Sequence, residues 1–239
     1  MKVLVLGNSD TEGVFSGGET WTQVLRQRLS TPDAANVTEV RFSPNGARAA
    51  AFAERTAREF EAEVVILPVG TFAFTVGFVW VRVGSLFGAR AARWYRRFEG
   101  GFDRRTRTPG AKSSGVNRLG RRTARALLGV QPMIDAESLA ESYCEVIRSL
   151  ARIEQARVVI VVYPPEEGPY LIKGNLAEKR SRFLTAIEFE SAMHHYQVIK
   201  AEDVFAHRDG DEPTTTPDGF HLNAKGHLLL GEAVAGAVR

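Results

Sequence analysis

The 239-residue sequence is poor in cysteine and has no long run of apolar residues. A single cysteine, Cys144, excludes a disulfide framework and a cysteine-rich zinc site. The apolar run Val3–Leu6 is too short for the core of a signal peptide. The run Val76–Val83 is too short to span a membrane and contains Arg82. We therefore expect a cytoplasmic protein, with attachment to a membrane surface left open.

The phosphate-binding motifs of nucleotide enzymes are also missing. Neither the Walker pattern nor G-x-G-x-x-G occurs, and this disfavours nucleotide binding. Internal repeats are absent as well. With 44% hydrophobic and 25% charged residues, the composition is that of an ordinary globular protein.

Acidic residues are scarce in one stretch, residues 82–125. There thirteen basic side chains face only Glu99 and Asp103, so the stretch carries a charge of +11. The rest of the chain carries −8, which gives the net charge of +3. The basic residues are Arg82, Arg90, Arg93, Arg96, Arg97, Arg104, Arg105, Arg107, Lys112, Arg118, Arg121, Arg122 and Arg125. The sequence thus combines an acidic body with one strongly basic segment.

Short apolar runs alternate with helical patterns along most of the chain. The predicted strands are Lys2–Leu6, Val37–Phe42, Val64–Val69, Val158–Tyr163 and Gln197–Lys200. The predicted helices are one opened by the capping box Thr20-x-x-Gln23, then Ala47–Glu61, Ser138–Arg152, Leu176–His195 and Ala224–Val238. This order predicts an α/β fold with an open, doubly wound parallel sheet of about five strands.

The alternation is interrupted once, between the third strand and the Ser138 helix. We predict a single domain, 1–239, with an arginine-rich helical insertion at 74–134. Helices are expected near Phe78–Phe98 and Val116–Leu128, joined by the loop Arg104–Ser114. The gap is far longer than an ordinary strand-to-helix loop.

The insertion permits several functions because aromatic residues precede many of its arginines. An amphipathic helix on an anionic membrane and a cap over an active site both suit this pattern. An acidic partner is a further candidate for residues 82–125. Nucleic acid is disfavoured, since no nucleic-acid-binding module accompanies the arginines. A solvated helical insertion paired with acidic patches elsewhere on the body or on a second subunit also stays open.

Two loops contain residues suited to nucleophilic catalysis. Ser9 follows the first strand between Gly7 and Gly13, where an exposed hydroxyl can act as a nucleophile or merely cap a helix. Near the other end, Asp218 and His221 could supply a carboxylate and a base. A spacing of this kind arises often by chance, and His221 and His227 also fit buried or helix-terminal histidines.

Taken together, the two loops resemble those of the SGNH (GDSL) hydrolases. The first block of that family, G-D-S-x-T-x-G, is matched by Gly7, Ser9, Thr11 and Gly13, with Asn8 in place of the aspartate. The last block, D-x-x-H, is matched by Asp218 and His221, with Gly226 following before the final helix. The resemblance covers the chain apart from residues 74–134.

The resemblance implies a three-layer α/β/α fold and a catalytic triad. Ser9 would be the nucleophile, His221 its base, and Asp218 the carboxylate that orients the base. The N–H groups of Ser9 and Gly46 would form the oxyanion hole, although Gly46 also fits a plain turn glycine. No metal and no organic cofactor are implied.

The third block of the family departs from this pattern. Where the family has G-x-N-D, this sequence has Gly70-Thr71-Phe72-Ala73, so Phe72 replaces an asparagine that donates to the oxyanion. Asn45 and Thr71 are the nearest substitute donors. Loss of one donor typically costs about 10²–10³ in turnover, so a slow or inactive enzyme stays open.

The resemblance implies an esterase that hydrolyses carboxylic esters through an acyl-serine intermediate. Its substrate would be a small-molecule or lipid-like acyl ester. Two alternatives remain: an acyltransferase with the same triad, and a non-catalytic lipid- or anion-binding protein with a degenerate oxyanion hole.

Overall fold

A computed structural model describes residues 1–7, 11, 18–30, 35–44, 48–106, 123–167, 171–206, 212–217 and 219–239, with residues 98–106 described for their backbone alone. The chain divides into two compact units. The sheet unit comprises Met1–Phe72, Ala136–Gly168 and Ala177–Arg239. The hairpin unit comprises Ala73–Asp135 and Pro169–Leu176.

The sheet unit is built on five parallel strands in the order β2-β1-β3-β4-β5. The strands are β1 (Lys2–Gly7), β2 (Asn36–Arg41), β3 (Val64–Val69), β4 (Arg157–Val162) and β5 (Gln197–Lys200). Every residue of β3 is buried, whereas the edge strands β2 and β5 are partly exposed. A strand covered on both faces needs a continuous apolar sequence, and this makes Val64–Val69 readable from the sequence.

The helices follow the predicted alternation. They are α1 (Trp21–Leu29), α2 (Ala49–Glu59), α3 (Phe72–Thr75), α4 (Val79–Thr106), α5 (residues 123–128), α6 (Ala136–Leu150), α7 (Leu176–Met193), α8 (Ala201–Ala206) and α9 (Ala224–Val238). The capping box at Thr20 and Gln23 is confirmed, with both reciprocal hydrogen bonds present. The short helices α3 and α8 were not predicted.

Helices cover both faces of the sheet. On one face, α1 and α9 bury Trp21, Leu25, Leu230 and Val234 against alternate strand residues. On the other face, α2 and α6 meet where the Ser149 hydroxyl donates to the Ala50 carbonyl at 3.1 Å. Helix α7 joins α6 there through the rings of Tyr143 and Phe183, whose centroids are 5.9 Å apart. The predicted three-layer α/β/α architecture is confirmed.

The hairpin unit differs from the prediction in its helices. The helical region expected near Phe78–Phe98 is interrupted at Gly88, where φ is 84° and ψ is 170°. The predicted loop Arg104–Ser114 begins as helix, since α4 extends to Thr106. Helix α5 occupies the end of the predicted helix Val116–Leu128, and residues 107–122 lie outside the described residues.

Short backbone pairings hold the hairpin unit together. Val76 bridges to Leu171, and Phe78 bridges to Gln131 through two hydrogen bonds of 2.8 and 3.2 Å. Phe74 and Val83, which belong to this unit, are buried. Within the described ranges of the chain, no helix is both long enough and apolar enough to cross a membrane.

Candidate active site

In open α/β sheets of this kind, ligands bind beyond the carboxyl ends of the strands, which here are those of β1 and β3. In the strand order 2-1-3-4-5, successive connections change direction between β1 and β3, and such a switch point opens a crevice beyond the strand ends. The loop after β1 contains Ser9, and β3 runs directly into Thr71 and Phe72. The end of β1, which precedes Ser9 in the sequence, and the end of β3, which precedes Thr71 and Phe72, therefore lie at the same edge of the sheet.

A polar cluster flanks the Ser9 loop where it leaves β1. The buried Thr11 hydroxyl donates to the Glu39 carboxylate on β2. The Thr22 hydroxyl donates to the other oxygen of Glu39 at 3.2 Å. A Cβ at Gly7 would lie 2.4 Å from Thr11 Oγ1, so any larger residue there would have to displace the Thr11 and Glu39 side chains. The sequence argument did not identify Glu39, which looks like an ordinary strand residue. Ser9 itself lies outside the described residues.

The end of the Ser9 loop approaches the start of α9. A Cβ at Gly18 would lie 3.2 Å from Ala224 Cβ. Three residues later, the Trp21 amide donates to Nδ1 of His227 at 3.2 Å. The Trp21 indole N–H donates to the Tyr163 hydroxyl at 3.1 Å. These contacts hold the first turns of α1 and α9 together.

His227 is part of the buried core, where it accepts a hydrogen bond from α1. Its side chain is buried, and burial, helped by nearby His221, lowers its pKa to about 4. The ring is therefore neutral near pH 7, and Nδ1 accepts the Trp21 N–H. The alternative of a buried, satisfied histidine is confirmed for His227.

The loop that contains His221 is a small hairpin at the start of α9. Thr215 bridges to Leu222 in antiparallel fashion, and the Thr216 amide donates to the His221 carbonyl at 2.8 Å. Asn223 then caps α9 by accepting from the Gly226 amide at 2.9 Å. These bonds fix the backbone of half-buried His221 relative to the last helix.

Gly219 joins the His221 loop to the loop after β4 through a backbone hydrogen bond. Its φ is +80°, and its carbonyl accepts from the Glu167 amide at 2.7 Å. A Cβ at this position would lie 2.0 Å from the Glu167 carbonyl oxygen. A glycine is thus required by both its backbone angle and its surroundings. Asp218, the residue before it, lies outside the described residues.

Phe72 lies beside the His221 loop. The rings of Phe72 and Phe220 meet edge to face, with centroids 5.4 Å apart. The Phe220 ring centroid is in turn 5.2 Å from that of His221. Where an oxyanion donor was expected, this chain therefore has the ring of Phe72. That ring contacts Phe220, and Phe220 in turn contacts His221, the candidate base.

Thr71 has a different hydrogen-bond partner from the one predicted for it. Its buried hydroxyl donates to the Glu166 carboxylate at 2.5 Å. The backbone amide of Gly70, just before it, donates to the Tyr143 hydroxyl at 3.4 Å. Burial raises the pKa of Tyr143, so the phenol stays protonated. The Gly70 amide and the Thr71 hydroxyl are thus directed at side chains of the protein.

A half-buried arginine adjoins the same edge of the sheet. Arg180 on α7 donates to the Tyr163 carbonyl at 3.3 Å and lies 3.7 Å from the Glu202 carboxylate. Burial lowers its pKa, while the charges of Glu166 and Glu202 act in the opposite direction. The run Pro164-Pro165-Glu166-Glu167 follows β4, so the rule that ligands lie beyond strand ends could have identified Glu166.

The structure thus describes some of the predicted site residues and not others. His221, Thr71 and Phe72 are described, and Phe72 and His221 are brought together through Phe220. Ser9, Asn45, Gly46 and Asp218 lie outside the described residues. Among the residues that are described, no group of three or more His, Cys, Asp or Glu side chains could hold a metal ion.

Comparison with known proteins identifies the fold. No family model matches the sequence, and no curated protein matches it. An acetyl xylan esterase is similar in structure, with 15% identity over 100% of both chains and a TM-score of 0.57.

Two bacterial enzymes are similar in structure as well. A lipase/acylhydrolase from Enterococcus faecalis has 11% identity over 99% of this chain and 94% of its own, with a TM-score of 0.57. A GDSL-like lipase from Bacteroides thetaiotaomicron has 13% identity over 99% and 87%, with a TM-score of 0.53. The predicted SGNH-hydrolase fold is confirmed.

Proposed function

We propose that this chain is an SGNH-type serine hydrolase that cleaves carboxylic esters through an acyl-serine intermediate. The observation that carries the proposal is the position of the His221 loop. Its Phe220 ring packs on Phe72 at the end of β3, and its helix is joined to the start of α1, which follows the Ser9 loop. The loop of the candidate base thus lies near the end of β3, and its helix contacts the helix that follows the candidate nucleophile loop in the sequence.

The chemistry needs three side chains. Ser9 Oγ attacks the acyl carbon while His221 takes the hydroxyl proton and passes it to the leaving alcohol. Asp218 orients the imidazole and stabilises its charged form. A water molecule then attacks the acyl-serine, with His221 again acting as base, and the acid is released. The route requires no metal and no organic cofactor.

The oxyanion would be held by the backbone N–H groups of Ser9 and Gly46. Phe72 contributes no donor, and the Thr71 hydroxyl is directed to Glu166. The Asn45 amide is therefore the better substitute of the two predicted. With a donor missing, we expect turnover below that of an enzyme with the full set, because each donor is typically worth about 10²–10³.

The nature of the structurally similar proteins supports the substrate class. They are an acetyl xylan esterase, a lipase/acylhydrolase and a GDSL-like lipase. We accordingly propose a small-molecule or lipid-like acyl ester as the substrate. Transfer of the acyl group to an alcohol uses the same intermediate, and the missing oxyanion donor also suits a non-catalytic binding protein.

Labelling with a fluorophosphonate tests the nucleophile directly. The wild-type protein should be labelled and should hydrolyse p-nitrophenyl acetate, whereas Ser9→Ala and His221→Ala should do neither. Two control variants, Ser43→Ala and His195→Asn, change exposed residues of the same types and should behave as the wild type. A wild-type protein that is neither labelled nor active would overturn the hydrolase proposal and favour binding.

Adding an alcohol acceptor separates hydrolysis from acyl transfer. A hydrolase should release the free acid at a rate that the acceptor leaves nearly unchanged. An acyltransferase should convert most of the acyl group into the new ester. A series of p-nitrophenyl esters of increasing chain length would then define the acyl group that the site prefers.

Restoring the missing donor tests the oxyanion hole. The substitution Phe72→Asn should raise the turnover of p-nitrophenyl acetate by roughly tenfold or more, since one donor is worth up to 10²–10³. Phe72→Leu is the control, because it removes the aromatic contact to Phe220 without adding a donor. Equal turnover in the two variants would show that position 72 does not face the oxyanion.

A further inference from the structure

Helix α4 is a helical hairpin rather than one long helix. Gly88 has φ 84° and ψ 170°, a conformation that is nearly exclusive to glycine, and it reverses the chain. Four residues to either side, a Cβ at Gly84 would lie 3.1 Å from Ala92 Cβ. Eight residues to either side, the Arg96 guanidinium lies 5.1 Å from the centre of the Trp80 ring. The two arms therefore run back along each other, with residues 86–90 at the tip.

The tip exposes large apolar side chains. Phe87 is 67% exposed and Leu86 is 48% exposed. On the second arm, Trp94 is 70% exposed. Ala92 and Arg96 face the first arm, so Arg90, Arg93, Trp94 and Arg97 share the opposite face at helical spacing.

The charge around these apolar residues has one sign. Arg90, Arg93 and Arg97 are exposed beside Trp94, and Arg90 adjoins the tip. The sequence has no acidic residue between Glu63 and Glu99. An exposed apolar tip beside arginines, within a stretch of sequence that lacks carboxylates, presents both hydrophobic area and positive charge to the same partner.

We propose that the α4 hairpin binds the surface of an anionic lipid membrane, with Leu86, Phe87 and Trp94 in the interface and the arginines at the lipid phosphates. A membrane interface offers apolar depth and negative charge together, as this surface requires. A nucleic acid would offer its phosphates to the arginines but no apolar depth to Leu86 and Phe87, and an acidic protein would need a matching apolar surface as well as carboxylates. The proposal is independent of the triad.

The sheet unit provides a matched control for the apolar part. Phe189 on α7 is 66% exposed, almost as much as Phe87. Its neighbours in the sequence are Glu188 and Glu190, which are ion-paired with Lys200 and Arg148, so that position lacks the excess of arginine found at the hairpin tip. Substituting each phenylalanine by serine removes similar exposed area from different electrostatic surroundings.

Co-sedimentation of the full chain with vesicles tests the proposal. The wild type should bind vesicles that mix phosphatidylglycerol with phosphatidylcholine and should not bind phosphatidylcholine alone. Phe87→Ser should weaken binding by roughly tenfold or more, because it removes one buried aromatic side chain from the interface. Phe189→Ser should bind as the wild type does.

A triple variant tests the charge. Replacing Arg90, Arg93 and Arg97 by glutamine should weaken binding roughly 10–100-fold, since each arginine near an anionic surface strengthens binding by a similar, severalfold factor. The control replaces Arg55, Arg152 and Arg182, which are exposed arginines of the sheet unit, and changes the net charge by the same amount. Added salt should weaken the wild type more than the Arg90/Arg93/Arg97 variant.

The fluorescence of Trp94 gives a readout that does not depend on sedimentation. Its emission should shift to shorter wavelength when anionic vesicles are added, and Trp94→Phe should abolish most of the shift, because Trp21 is already buried and Trp80 is half-buried with Arg96 over its ring. Circular dichroism confirms that each variant is folded. Three results would overturn the proposal: no binding to anionic vesicles, equal loss of binding in the tip and control variants, or self-association through Phe87 without binding to lipid.

Discussion

Trp21 and Trp94 illustrate how differently the two units use the same side chain. In the sheet unit, Trp21 is fully buried, its indole donates to Tyr163, and its amide donates to His227. In the hairpin unit, Trp94 is 70% exposed among arginines. Trp21 is surrounded by packed side chains, so few other residues would fit there. Trp94 is surrounded mainly by solvent. The sheet unit is thus where substitutions should alter stability, and the hairpin unit is where they should alter binding.

The largest expected difference comes from removing these two side chains. Trp21→Ala should lower the free energy of unfolding by about 3–5 kcal/mol, the cost of deleting a buried aromatic residue. Trp94→Ala should change it by less than about 0.5 kcal/mol, as exposed substitutions do. Urea denaturation followed by circular dichroism measures both. Similar losses in the two variants would break the comparison.

Two glycines with left-handed φ angles give the next difference. Gly219→Ala should cost about 3–4 kcal/mol, because backbone strain is added to a Cβ only 2.0 Å from the Glu167 carbonyl oxygen. Gly88→Ala should cost about 1–2 kcal/mol from strain alone, since a Cβ there meets nothing within 4 Å. Gly236→Ala on α9, which also has open space, is the control and should be neutral or slightly stabilising.

The same contrast explains what could be predicted from the sequence. Buried strands such as Val64–Val69 and the capped helix at Thr20 were predicted because burial and capping impose local patterns. The break at Gly88 was missed because the helical spacing of apolar residues continues on either side of it. A single glycine inside such a pattern does not by itself predict a reversal of the chain.

The sequence predicted which residues of the candidate site could perform the chemistry, but it did not predict the contacts that hold those residues in place. His221 was identified from its spacing to Asp218 and from the family resemblance. Glu39 and Glu166 were not, because their roles depend on strands that meet only in the folded sheet. The partner of Phe72, Phe220, is likewise far away in the sequence, so no local pattern indicates their contact.

The pH dependence of stability should also reside in the sheet unit. All five histidines lie outside residues 73–135 and 169–176. The pKa of His227 is about 4 in the folded protein, against an ordinary value of 6.5, so between these values only the unfolded chain takes up the proton. Stability from this group is therefore complete above pH 6.5 and is lost as the pH falls towards 4, by at most about 3 kcal/mol.

Unfolding experiments at pH 7 and at pH 4.5 measure this loss. His227→Asn should reduce the difference between the two pH values, because the asparagine amide does not titrate and can still accept the Trp21 N–H. His195→Asn changes an exposed histidine and should leave the difference nearly unchanged. If His227→Asn retained the full pH dependence, the loss would have to come from other groups.

The smallest expected effect concerns the pair Phe72 and Phe220. A double-mutant cycle with leucine at each position should give a coupling of about 1 kcal/mol, as edge-to-face aromatic pairs do. In the hairpin unit, Phe78 and Trp80 are 5.9 Å apart but only two residues apart in the sequence. Their coupling should be weaker, because neighbouring residues stay close in the unfolded chain too.

The rate of fluorophosphonate labelling extends the same cycle to function. If Phe220 positions His221, Phe72→Leu and Phe220→Leu should slow labelling, and the double variant should be less impaired than the sum of the two single effects. Phe78→Leu should leave the rate unchanged. A coupling seen in stability but absent from labelling would assign the aromatic contact to the core alone and would leave the orientation of His221 to its backbone hydrogen bonds.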